Sequence, residues 1–136
     1  MLNIENLLQF LSISSRTNDD LGNPNISGTD RAGEFVREML KDLPLNWTKI
    51  QKTGRSSFWY AETVKNDPTK PIILLSSHID TVYAAEEIEV RETEDKVYGS
   101  GAQDMKGSVF IICEILKELN KQNKLQNIIL WSELTQ

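Results

Sequence analysis

The sequence predicts an α/β fold, a sheet covered by helices. Segments with helical apolar spacing alternate with segments of strand character, the pattern of helices laid on a sheet. One strand segment, PIILL at 71–75, is apolar without a break, as in a strand buried on both faces. The chain is long enough for one core: 136 residues, 39% hydrophobic and 26% charged.

The elements follow in order. A first helix is predicted over 3–13, where Ile4, Leu7, Leu8 and Leu11 fall at i, i+3, i+4 and i+7 on one face. SSRTNDDLGNPNISGT, polar and rich in Gly, Asn and Pro, reads as a loop. A second helix runs from Asp30 to Leu43, with Thr29 as its N-cap and Pro44 as its stop. Its apolar side holds Phe35, Val36, Met39, Leu40 and Leu43. NWTKIQ alternates and SSFWYAETV is aromatic and β-branched, so both read as strands, with KNDPTK as the turn that leads to PIILLSSHI. EIEVRETEDKVYGSG reads as two short strands around ETED. DMKGSVFIICEILKELNKQNK is a third helix with Val109, Ile112, Cys113, Leu116 and Leu119 inward, and Phe110, Ile111 and Ile115 widening the stripe. LQNIILWSEL is the last strand.

Composition excludes several classes. The net charge is −5 and no basic cluster exists, which argues against a nucleic-acid partner. No apolar stretch approaches the roughly 18 residues that cross a bilayer, so no membrane partner is expected. MLNIENLLQFLSIS lacks the basic flank and small-residue cleavage site of a signal peptide. The single cysteine, Cys113, rules out an internal disulfide and a cysteine-based zinc cluster. These features together predict a cytoplasmic location.

Two stretches carry chemistry. SSHIDTVY (76–83) closes the apolar strand and contains the chain's only histidine, His78, two residues before Asp80. Residues two apart on a strand share a face, so the pair projects together if the strand persists to Asp80. Strand ends in α/β sheets are where sites are built, and a metal-binding histidine commonly gives its second nitrogen to a carboxylate. The plainer reading is a satisfied histidine followed by a capping Asp. The second stretch, YGSGAQDMKGS (98–108), sets Gly99 and Gly101 just before Asp104 at the mouth of the third helix. There the plainer reading is that Asp104 caps its own helix. A phosphate loop is disfavoured, because Asp104 stands where G-x-G-x-x-G requires its third glycine.

SSHIDTV followed by GSGAQDMKGS resembles the paired signature of the M20 metallopeptidases, H-x-D-T-V and then G-x-G-x-x-D-x-K-G. That family includes carboxypeptidases, aminoacylases, acetylornithine deacetylases and succinyl-diaminopimelate desuccinylases. The resemblance implies a helix-covered mixed sheet of the zinc-peptidase type and a hydrolase acting on the amide bond of a small peptide or N-acyl amino acid through metal-activated water. It implies two Zn²⁺ ions, with Co²⁺ or Mn²⁺ as substitutes. His78 would ligate one zinc, Asp104 would bridge both, and Asp80 would be the catalytic-site acid that orients His78. Lys106 either supports the site loop or lies on the surface.

The family pattern continues after the last strand with a Glu–Glu pair, a further acid, a second histidine and an inserted dimerisation domain, none of which stands at those places in this sequence. NIILWSELTQ reaches the place of the pair; Thr135 and Gln136 either replace it or precede it, and the second is the expectation. Glu133 precedes that place and is a poor substitute. Residues 1–136 are therefore expected to be the N-terminal portion of one catalytic domain, its sheet incomplete at the C-terminal side. Alone it should bind zinc weakly, hydrolyse nothing and self-associate through open apolar surface. The alternatives are a non-catalytic relative acting as a binding or scaffold protein, and a generic α/β module with a chance match.

Overall fold

Residues 3–18, 22–51, 53–54 and 56–133 are described by the structure, a computed structural model. α1 (Ile4–Leu11) opens on Asn3, whose side chain accepts the Asn6 N–H. Its buried residues are Phe10 and Leu11, while Ile4, Leu7 and Leu8 are half-buried. The Phe10 ring stacks on Phe35 with centroids 5.6 Å apart, which draws the last turn of the helix into the core.

α2 (Ile26–Met39) starts earlier than Asp30 because Asn25, a stronger cap than Thr29, accepts the Gly28 N–H at 3.0 Å. Thr29 lies inside the helix, buried, with its hydroxyl 2.8 Å from that of Ser56. The helix also stops earlier than Leu43, and the chain turns twice before Pro44. The strands are β1 (Leu45–Ile50), β2 (Phe58–Thr63), β3 (Ile73–His78), β4 (Arg91–Glu92) and β5 (Val97–Tyr98). A single 3₁₀ turn at Ala85–Glu87, α3 (Lys106–Lys121) and β6 (Ile128–Glu133) complete the order.

The main sheet has the order β1-β2-β6-β3, mixed as predicted: β6 runs antiparallel to β2 and parallel to β3. β4 and β5 form a separate hairpin. The core uses alternate strand positions, Trp59 and Ala61 of β2 and Ile128 and Leu130 of β6. Against them pack Phe10, Val36, Val109, Cys113 and Leu116 from the three helices, and Leu40 from the C-cap of α2. Cys113 is fully buried, and Ile111 and Ile115 are exposed.

A further expectation fails. β3 is not buried on both faces: Ile72, Ile73 and Leu74 are 63%, 53% and 62% exposed. The last strand in sequence inserts between β2 and β3, which leaves β3 at an edge of the described sheet. The turn before β3 is tied to the start of β6 by buried Asn127. Its side chain donates to the carbonyls of Asp67 and Lys70 at 2.8 and 3.2 Å and accepts the Asp67 N–H at 2.7 Å.

Candidate metal centre

β3 ends at His78, so strand alternation is not what joins His78 to Asp80. The chain turns instead. Nδ1 of His78 lies 3.2 Å from the main-chain oxygen of Asp80, in hydrogen-bonding geometry, and 3.2 Å from its carboxylate Oδ1. Asp80 is 2% exposed. Residues 15–17, read from sequence only as loop, lie beside this turn as a short strap. Thr17 N donates to Thr81 O at 2.9 Å, Thr81 N to Ser15 O at 2.9 Å, and the Ser15 hydroxyl to Ile79 O at 2.7 Å. The Thr17 hydroxyl donates to Asp80 Oδ2 at 2.8 Å.

Asp104 arrives from the other motif. Gly101 takes a φ of +79°, and a Cβ there would stand 2.8 Å from the Thr81 methyl, so glycine lets the two motif loops close on each other. α3 is capped at Met105, without a side-chain bond. The Asp104 carboxylate turns instead to His78, with Oδ1 at 3.0 Å from Nε2 and its side chain 78% exposed. The structure thus brings together His78, Asp80 and Asp104, although 26 residues separate the first from the last.

Lys106 is not a surface residue: it is fully buried, and its ammonium donates to the carbonyls of Phe10 and Ile13 at 3.2 and 2.5 Å. Those carbonyls sit at the C-terminal end of α1, where a cation is favoured. Burial holds the ammonium down to about 8. Lys106 therefore pins the Asp104 loop and the start of α3 against α1.

The donors suit a metal in type. With its Nδ1 proton given to Asp80, the ring turns the Nε2 lone pair toward a carboxylate oxygen. Two lone pairs at 3.0 Å require a shared cation, either a proton or a metal ion. An imidazole nitrogen and a carboxylate oxygen are both zinc donors. These two fit as part of a ligand set. Among the described residues no group of three or more His, Cys, Asp or Glu is placed to hold an ion. Thr135 and Gln136 lie outside the described residues.

Comparison with known proteins agrees with the motif. The profile of Peptidase family M20/M25/M40 matches residues 74–132, which contain both loops. A probable carboxypeptidase of Emericella nidulans is 37% identical over 95 residues, 63% of this chain. Over the matched residues the chain resembles the M20 family. A probable succinyl-diaminopimelate desuccinylase of Staphylococcus aureus is 39% identical over 62 residues, 40% of this chain. The M20 fold extends beyond the matched stretch. An M20 family metallo-carboxypeptidase from Sulfolobus solfataricus superposes over 96% of the chain with a TM-score of 0.74 at 24% identity. Human carnosine dipeptidase 1 does so over 96% with a TM-score of 0.76 at 20% identity. The chain spans 22% and 15% of the two sequence relatives, and 30% and 31% of the two structures.

Proposed function

We propose that this chain supplies one histidine ligand and the bridging carboxylate of a two-zinc M20 amide hydrolase. One observation carries the reading: a single imidazole has acids at both nitrogens, Asp80 at 3.2 Å and Asp104 at 3.0 Å. His78 would hold one ion through Nε2, and Asp104 would stand between the two. Divalent ions bound there supply Lewis acidity, which polarises an amide carbonyl and makes water nucleophilic near neutral pH. Asp80, buried beside Nδ1, would keep the ring in one orientation. Asp104, on the open side, leaves room for a substrate carbonyl. Co²⁺ or Mn²⁺ would substitute for zinc through the same donors. Residues 1–136 would be the N-terminal portion of the catalytic domain, with further ligands and the proton-transferring acid coming from other segments. The names of the relatives support a small peptide or an N-acyl amino acid as substrate.

Cobalt(II) titration of the 136-residue chain, followed by calorimetry and visible absorption, tests this. Weak binding that disappears in H78A and in D104N is the expected result. Binding indifferent to both substitutions removes the metal reading. Amide hydrolysis by the chain alone overturns the need for further ligands.

A further inference from the structure

We propose that Thr17 is a positioning residue of this centre, its hydroxyl holding the Asp80 carboxylate in the rotation that keeps Oδ1 beside His78. The consequence for metal binding rests on the reading above; the placement of the carboxylate does not. The contacts form a line from the strap into the site. Thr17 Oγ1 donates to Asp80 Oδ2 at 2.8 Å, Asp80 Oδ1 lies 3.2 Å from His78 Nδ1, and His78 Nε2 lies 3.0 Å from Asp104 Oδ1. The hydroxyl has one proton, and Thr81 O at 3.3 Å is the weaker acceptor, so the short contact to the charged oxygen dominates.

This bond matters because the backbone leaves the carboxylate undetermined. The ring N–H is directed at the Asp80 carbonyl, which fixes the tautomer. The negative charge beside the ring depends on how the side chain is turned about its last bond, a broad torsion with little intrinsic preference. A donor on Oδ2 favours the rotation seen. Thr17 can supply that donor because its own backbone is held on both sides, by Thr81 O at 2.9 Å and by the Asn25 N–H at 3.0 Å. Those backbone bonds do not use the hydroxyl, so its removal tests the contact and leaves the strap in place. The outer partners of metal-binding histidines tune affinity even though they never touch the ion.

Thr17→Val preserves the shape and removes the donor; Thr17→Ser preserves the donor; Thr17→Ala is a second donorless variant should Val disturb the fold. The chain has one histidine, so the ring resonances in a long-range ¹⁵N–¹H spectrum are those of His78 without assignment. At one fixed pH, T17V and T17A should displace the Nδ1 resonance, and T17S should keep it. Cobalt(II) affinity should fall about 10-fold in T17V and T17A and stay near the parent value in T17S. A parent-like Nδ1 resonance in T17V and T17A overturns the proposal, and so does a lowered Tm with resonance and affinity unchanged, the mark of a merely structural residue. If the parent chain takes up no cobalt, the zinc reading fails, and the resonance still decides the place of Thr17.

Discussion

Gly33→Ala tests how closely α2 lies on the sheet. Gly33 is buried in the middle of the helix, and a Cβ added there would stand 2.1 Å from Nε1, 2.4 Å from Cε2 and 2.6 Å from Cδ1 of Trp59. Contacts this short cannot persist, so the ring or the helix must shift. The ring has little room to retreat. It is 4% exposed, Lys49 sits 5.0 Å from its centroid, and the neighbouring cavity of about 10 Å³ among Val36, Ile79, Val109 and Leu130 holds no more than one water. Two effects oppose each other. Replacing glycine by alanine inside a helix gains about 0.5–1 kcal/mol. Overpacking costs about 1–3 kcal/mol, and a clash with an aromatic ring lies at the upper end. The balance is a loss of about 2 kcal/mol, which lowers Tm by about 5–10 °C for a chain of this size. Urea and thermal unfolding followed by circular dichroism measure it. In a Trp59→Leu background the ring is gone, and the same substitution should become neutral or stabilising. A G33A chain as stable as its parent, or an equal cost in both backgrounds, refutes the close approach.

Asn127→Ala should destabilise by about 2–3 kcal/mol in the same assay, because it removes three hydrogen bonds from a buried position; a change within error would show that the turn holds β3 without them. Burial pushes the Cys113 thiol up to about 12, so it should resist thiol reagents in native buffer and react fully in denaturant; prompt native labelling would contradict its place in the core. Asp67 is held below the ordinary carboxylate range by the Thr69 hydroxyl and N–H and by Lys70. The folded state therefore releases that proton more readily than the unfolded chain. Its contribution is present above the unfolded carboxylate value and is lost as pH falls through the lowered one. The stability difference between the parent and Asp67→Asn should shrink on acidification, and a difference that grows would reverse the sign.

Much of the centre was legible because its parts are local. His78 and Asp80 stand two residues apart, and Gly99, Gly101 and Asp104 share one loop, so the motif could be read without a fold. The plainer reading of Asp104 as a cap gave way only when α3 was seen to have Met105 as its N-cap and the Asp104 carboxylate to face His78. Thr17 left no signal at all. A threonine in a polar loop has no periodicity to betray it, and its partner lies 63 residues away.

Amino-acid order by itself determined where the chain coils and where it extends, the inward stripe of α3 and the chemical types that meet beyond the end of β3. Those properties follow from side-chain spacing along one segment. Tertiary structure decided that β6 enters between β2 and β3, so that β3 lies at an edge of the described sheet, and it left Ile73 and Leu74 exposed despite their hydrophobicity. It also decided that Lys106 is buried, since the carbonyls that receive its ammonium come from α1 and meet it only when α1 and α3 pack. Apolar spacing reports how a segment would bury itself; which partner arrives depends on pairings between distant segments, and no local pattern encodes them.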